Sequence, residues 1–429
     1  CWDLYARVSS FYAKEPGNGL LRGETLQLIE HGNNDTAELA HYVAHRIVQC
    51  HLDTMERLGI EYDLLPKESD ILHLKFWDHA FALLKKNGAI HYEDSGKNKG
   101  CWIMSLSEKD EAGTQEEVEH EEDKIIVRSN GTVTYVGKDI AYQMWKFGLL
   151  DRSFHYVPIA KYADGRIVWE STVGDGDPAA PHFGSAKKVI NVIDIRQAYL
   201  QKIVKEGLRL LGHEREADNS IHFSYEMVAL SPATAAALGM HVSDEDAGRA
   251  YLEMSGRKGL GVKADDLLDA LETKAAEAIR EGLADEAREG MGDEEVVTLA
   301  TQISVAALRY FMLKYGRNKV IAFDFREALA FEGDTGPYLQ YSTVRVENIF
   351  RKMADRGVSA RLEAGELDAL TIGGELPDEM WEIVRLSADT ASVVRRATDA
   401  LELSTLTHHA FDLAQKFNSF YHKYPILNE

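Results

Sequence analysis

The stretch Met254-Ser255-Gly256-Arg257-Lys258-Gly259-Leu260 sets a hydroxyl, a guanidinium and an ammonium among glycines. Glycine lets backbone approach a ligand closely, and the two cations can meet phosphate charge. Alone, the same string describes a solvated basic turn, so its meaning depends on its surroundings. Tyr135 and Asp139 form a second group. Spaced i, i+4, they share one face of a helix, and a carboxylate placed at a strand end can take a guanidinium in bidentate fashion. The plainer reading of Asp139 is a first-turn acid near a helix dipole. Gln197 closes a strand and opens a helix; its amide donates and accepts, which suits an amino-acid head group, as it also suits an ordinary helix start. His222 precedes a short strand whose backbone at Met227 and Val228 could read an adenine edge. The remaining histidines, the pair His408-His409 included, lack metal-ligand spacing, and no metal site is expected. In Gly336-Pro337-Tyr338-Leu339-Gln340-Tyr341, the two tyrosines fall on one face near a helix start. Exposed, they would stack unpaired bases, with Gln340 and Arg345 for polar contacts; buried, they are core.

The elements that must hold these groups change character along the chain. Asp35 and Glu38 make a capping-box-like start, and Leu39, Val43 and Ile47 continue one apolar helix face to about residue 58, where Gly59 stops it. An extended stretch 60–63 and a second helix, 69–86, follow. From residue 124 strands alternate with helices: a strand at 124–128, a turn at Ser129-Asn130-Gly131-Thr132, a helix at 140–147, a strand at 189–195, a helix reaching Leu211-Gly212, and a strand at 226–230. Such alternation predicts a doubly wound α/β sheet with its ligand crevice at the carboxyl ends of the strands. Beyond residue 296 the pattern is helical, at 296–315, 338–353, 378–401 and 406–422 with a shorter helix at 323–330, and without strand signal. That predicts a helical bundle.

At 429 residues the chain has material for about two or three domains. A net charge of −22 excludes general nucleic-acid binding while leaving room for a local basic contact. The acids concentrate at 108–123, read as a solvated loop, and at 285–295, read as a linker. Cys1, Cys50 and Cys101 lie far apart, which points to neither a disulfide framework nor a zinc site and suits a reducing cytosol. No apolar run is read as a membrane span, and no leader pattern opens the chain. The chain begins Cys1-Trp2-Asp3 and ends Ile426-Leu427-Asn428-Glu429, so both ends are expected to be cuts through a longer polypeptide.

Taken in order, these motifs resemble a class I arginyl-tRNA synthetase of the archaeal-like branch, and the resemblance covers nearly the whole chain. Leu58-Gly59-Ile60, Asp63 and Glu68-Ser69 are similar to the family's segment between the halves of its catalytic sheet. Ser129-Asn130-Gly131-Thr132 through Tyr135, Asp139, Ile140, Ala141 and Tyr142 is similar to its arginine-site motif. Asn191-Val192-Ile193-Asp194-Ile195-Arg196-Gln197, then Glu226-Met227-Val228, then the loop at Met254, follow as in the family. Gly336 to Tyr341 resembles the opening of its anticodon-binding domain, and Ala414-Gln415-Lys416-Phe417-Asn418-Ser419-Phe420-Tyr421 its late helix.

The resemblance implies a mostly helical connecting region over 1–123, the second half of a Rossmann-type catalytic domain over 124–290, and a helical anticodon-binding domain over 291–429. It implies an ATP-dependent ligase joining L-arginine to the arginine tRNA, cytoplasmic and monomeric, with Mg2+ entering as the ATP complex. Asp139 would hold the guanidinium beside Tyr135, and Gln197 the amino-acid end. Lysine would fit that site poorly, because a point ammonium does not fill a bidentate carboxylate. Ser255, Arg257 and Lys258, in a version of the mobile "K-M-S-K-S" loop, would act on the ATP phosphates. Met254, Met227, Val228 and His222 would complete the nucleotide site, and Tyr338, Gln340, Tyr341 and Arg345 would meet the tRNA. Two departures stand out: Glu253 occupies the place of the loop's first lysine, and the stretch 230–252 is longer than the family's connection there. The family's "H-x-G-H" motif has no counterpart in the chain, which leaves a tRNA-binding or regulatory relative without chemistry as the alternative.

Overall fold

The computed structural model describes residues 2–104, 124–254, 262–282, 291–358, 377–424 and 426. The expected acidic loop at 108–123 and the loop residues Ser255, Arg257 and Lys258 lie outside them. The chain divides into two compact units, one of Glu61–Tyr225 and one that joins Cys1–Ile60 to Glu226–Glu429.

In the Glu61–Tyr225 unit, Leu64–Leu65 runs parallel to Ile167–Thr172, which pairs antiparallel with His155–Lys161. His91–Tyr92, Trp102–Met104 and Lys124–Val127 form a meander. Val189–Asp194 lies parallel to Ser220–Tyr225, Asn191 opposite His222. The Tyr135–Lys146 helix packs between the Phe76–Lys86 and Ala198–Leu210 helices. Its Val136, Ile140 and Met144, spaced by four, enter a core with Phe76, Leu84, Ile126, Ile203 and Leu208. Gly137 permits that approach. A Cβ there would lie 2.8 Å from the Trp77 ring and 2.9 Å from Val133.

The expected helix at 69–86 is two helices, Glu68–His73 and Phe76–Lys86. They break at Lys75, whose φ of 56° is left-handed. The break redirects the chain so that Phe76, Trp77, Ala80 and Leu84 face the core. The expected helix at 140–147 starts earlier, at Tyr135.

In the other unit, the helix begun at Asp35 ends at Arg57, and Gly59 takes φ +63° behind it. Its cap is Asn34, which accepts from the Ala37 amide; Asp35 and Glu38 serve as first-turn acids instead of the expected box. Val228–Leu230 pairs in parallel with Ile321–Phe323, a strand unforeseen beyond residue 296. The long stretch after Leu230 closes on itself. Leu230 and Leu252 exchange backbone hydrogen bonds (3.3 and 2.8 Å), while Leu238, Met240 and Val242 from the excursion pack on the core around Phe311, Phe323 and Phe325.

Helices Asp293–Leu313, Gly336–Asp355, Asp378–Ala400 and Ser404–Lys423 make the C-terminal bundle. The first of these corrects the reading that no segment could cross a bilayer, being long and apolar enough by length and composition. Its apolarity has a packing cause: it lies against both Ala264–Gly282 and Gly336–Asp355 and buries Val296, Ala300, Ala307, Leu308 and Phe311. The whole is mixed α/β with a helical C-terminal part. The strands form four small sheets among the described residues.

Candidate functional site

The Tyr135–Lys146 helix is seated by its polar stripe as well as its core face. Thr134, just before it, donates to the carbonyls of Ile125 and Ile126 (3.0 and 3.1 Å). Buried Gln143 donates to Ser220 (2.9 Å), and Lys146 donates to Asn191 (3.0 Å), so the helix is bonded to both strands of the parallel pair. Tyr135, Asp139, Tyr142 and Lys146 follow at spacings of four, three and four, which places them on one stripe.

Tyr135 is open to solvent, and the Lys138 ammonium lies 5.8 Å from its ring centre. Asp139 is solvent-accessible as well, yet protein surrounds its carboxyl closely enough to matter. That surrounding protein, and then the charge of Glu68, push its pKa up to about 6, against the pull of Lys146 and Lys138. Accessible to a ligand and set among protein atoms beside a second carboxylate, the group suits capture of a cation. Lys138 pairs with Glu68 at 3.4 Å. Lys146 sits 4.4 Å from the Tyr142 ring centre; burial brings its pKa down to about 8 despite Asp139.

Sequence reasoning singled out Tyr135 and Asp139. It did not single out Glu68 as their partner or Lys146 as their counter-charge. The signal was present in the quoted Glu68-Ser69 string, but nothing local tied it to a helix far along the chain.

Gln197 is exposed at the end of the single turn Ile195–Gln197 that follows the Val189–Asp194 strand. Asp194 accepts from the amide and guanidinium of Arg196 (2.8, 2.9 and 2.6 Å), which hold its pKa down to about 2 and fix the turn that presents Gln197. His222 is half-buried, its Nε2 at 2.9 Å from the Ile193 carbonyl.

The other proposed nucleotide residues belong to the second unit. The Met227 carbonyl accepts from Ile321 (3.1 Å), so only its second lone pair could serve a ligand. Val228 is exposed, and Met254 packs partly buried against the core.

On the helical side the expected residues separate. Tyr338, half-buried, packs on Phe411 at 5.5 Å between ring centres. Gln340 turns toward the Asp293–Leu313 helix, its Nε2 at 3.4 Å from the Gln302 carbonyl. Tyr341 stays 51% exposed, and the Arg345 guanidinium lies between the rings of Tyr341 (4.6 Å) and Tyr421 (5.1 Å). Arg345 also donates to Asn418 (2.5 Å) and the Tyr341 hydroxyl (2.6 Å), and Asn418 donates to Ser342 (2.7 Å). Tyr421 and Asn418 complete this cradle from the Ser404–Lys423 helix. Sequence spacing could not pair two helices so far apart.

A family model described as the DALR anticodon binding domain matches residues 339–429. A mixed α/β body joined to such a domain is similar to the architecture of the aminoacyl-tRNA synthetases. The arginine–tRNA ligase of Thermococcus kodakarensis is 32% identical over 430 residues, 99% of this chain and 61% of the relative. That of Deinococcus radiodurans is 33% identical over 88% of this chain and 56% of the relative. The solved arginyl-tRNA synthetase of Thermus thermophilus superposes with a TM-score of 0.69 at 28% identity, over 92% of this chain and 57% of that one. The Plasmodium falciparum synthetase, at 14% identity and a TM-score of 0.64, shares the fold. The chain is similar to the arginyl-tRNA synthetases over nearly its whole length, and it spans about three-fifths of the length of these relatives.

Proposed function

We propose that this chain carries the arginine-recognising and anticodon-reading parts of an arginine–tRNA ligase. The observation that supports the reading is the accessible Asp139 carboxylate on the stripe that also carries Tyr135, with Glu68 acting on it. Lys138 pairs with Glu68, yet the Glu68 charge still disfavours the ionised form of Asp139; a guanidinium offsets this, and its planar fork fits a carboxylate better than an ammonium does. Gln197 would hold the amino-acid end. The arginine carboxylate would attack the α-phosphorus of ATP, supplied as its Mg2+ complex, and displace pyrophosphate. Ser255, Arg257 and Lys258 would meet the charge that builds on the phosphates, with Met254, Met227, Val228 and His222 around the nucleoside. A ribose hydroxyl at the tRNA end would then take the arginyl group and release AMP. The segmentation at 124 and 291 belongs to this reading, as does a cytoplasmic monomer.

The test is arginine-dependent exchange of pyrophosphate into ATP by the protein with its native termini. Asp139→Asn should lower it by about 10²-fold or more while ATP binding persists, as expected when a charge-assisted contact to the substrate is lost. Unchanged exchange would refute the pocket. The second reading is a tRNA-binding relative without chemistry, for which the exposed Tyr341 beside Arg345 would suffice. Tight tRNA binding with no exchange at all would establish that one.

A further inference from the structure

Leu64–Leu65 pairs in parallel with Trp169 and Glu170, and the Trp169 amide donates to the Asp63 carbonyl (3.0 Å). Pro66 follows. Proline has no N–H, so residue 66 adds no donor to the ladder. One residue further, a side chain of the same strand takes over. The Lys67 amide donates to the Ser171 hydroxyl (2.7 Å), and that hydroxyl donates its own proton to Asp70 (2.6 Å). The Lys67 ammonium pairs with the neighbouring Glu170 (3.2 Å).

Ser171 is fully buried, and Asp70 is 5% exposed. A carboxylate buried to that degree depends on the donors that reach it. Of the two side-chain bonds Asp70 accepts among the described residues, that from Ser171 is the short one; the Ser69 hydroxyl stands at 3.4 Å. The Lys67 carbonyl accepts from the Asp70 amide (3.1 Å), so residues 67–70 form a closed turn tied at both ends to one buried oxygen.

Glu68 stands inside that turn. Its side chain is 58% exposed, and its bond to Lys138 is long, at 3.4 Å. So loose a tether leaves its backbone to decide where the carboxylate lies. The Glu68–His73 helix packs against Tyr135–Lys146. Beyond burial, the charges that act on Asp139 are Glu68 from this facing helix, and Lys146 and Lys138 from its own. Glu68 alone of these three is placed by a separate element, and Ser171 holds that element.

We propose that Ser171 and Asp70 are positioning residues for the cation site: the Ser171 hydroxyl fixes the turn that sets Glu68 against Asp139, and through it the affinity for a guanidinium. The inference rests on the proposed function, which makes L-arginine the ligand. Both residues are buried, so they act through Glu68 and not by touching the ligand.

The experiment measures L-arginine affinity by titration calorimetry between about pH 5 and about pH 8, across the Asp139 titration, in the protein with its native termini. Ser171→Ala frees the turn and lets Glu68 draw away from Asp139. Arginine should bind about 3- to 10-fold more weakly at neutral pH, and the midpoint below which binding fades should fall, as Glu68→Gln should make it fall. Lost stability alone would lower the melting temperature and leave that midpoint in place. Ser171→Ala combined with Glu68→Gln should move the midpoint no further than Glu68→Gln does. Asp70→Asn keeps an acceptor for the Ser171 hydroxyl while removing the charge, so it should bind arginine within about twofold of the unmodified protein with the midpoint unmoved. Asp70→Ala, which removes the acceptor, should resemble Ser171→Ala, and the two Asp70 variants decide the matter where Ser171→Ala does not fold. Unaltered affinity and midpoint in folded Ser171→Ala or Asp70→Ala protein overturn the positioning role. So does a midpoint that Asp70→Asn moves as far as Asp70→Ala, since the charge of Asp70 would then be the cause. Failure of the unmodified protein to bind arginine, or affinity indifferent to Asp139→Asn, overturns the functional reading itself, and with it this inference.

Discussion

Asp139 is held in a state that costs stability and serves binding. Its folded-state pKa, about 6, lies above the ordinary carboxylate value. Between those two values the folded protein binds more protons than the unfolded one, so stability falls as pH rises through that window. At neutral pH the ionised group therefore opposes folding while attracting a cation. Asp139→Asn should leave the melting temperature unchanged or raised at pH 7.5, and should give no gain at about pH 2.5, below the ordinary carboxylate value, where both states are protonated; calorimetry at the two pH values checks this. Arginine affinity should weaken as pH drops through about 6. Glu68→Gln removes the second cause of the upward shift, so it should move that loss to lower pH. A midpoint unmoved in Glu68→Gln would mean that Glu68 does not act on the site. Of this arrangement the sequence disclosed the Tyr135 and Asp139 pair, because i, i+4 spacing is local. Lys146 shares the stripe by the same local spacing, but Glu68 and Asn191 reach it only through tertiary packing, and spacing carries no record of that.

The elements show where periodicity informs and where it fails. The long helices were legible because an apolar face repeated over several turns is hard to mistake. The strand Ile321–Phe323 was not, since three residues cannot establish a period; what makes them a strand is pairing with Val228–Leu230. The break at Lys75 was hidden for a different reason. A non-glycine residue in left-handed backbone has no reliable signature, and there burial of Phe76 and Trp77 overrides local preference. Helix Tyr135–Lys146 also depends on a residue with no side chain. Gly137→Val would drive methyls into Trp77 and Val133, each already within 3 Å of a Cβ. Since Trp77 is 5% exposed, its ring has little room to yield. Overpacking of this kind costs about 1–3 kcal/mol. Gly137→Val should therefore lower the denaturation midpoint and raise the KM for arginine, leaving tRNA affinity near its starting value. A raised KM for tRNA instead would show that the helix serves another site.

For the molecule as a whole, a net charge of −22 sets the terms on which it can meet a polyanion. A protein that held tRNA by a broad basic face would lose affinity steeply with salt, with a slope near −0.7 per phosphate neutralised on unpaired strand. The Tyr341–Arg345–Tyr421 cradle offers another means: one guanidinium held between two rings, with an exposed aromatic face beside it. Stacking of a base on an aromatic side chain contributes about 1–3 kcal/mol and carries no ion release. The two contributions separate experimentally. Tyr421→Ala should weaken tRNA binding by about 5- to 100-fold and leave the slope of log affinity against log salt unchanged. The slope of the unmodified protein should itself be shallow, about −3 or less in magnitude, because few cations can approach through so acidic a body. A steep slope that Tyr421→Ala does not touch, with affinity also intact, would move the tRNA contact off this cradle and onto the basic side chains elsewhere on the chain.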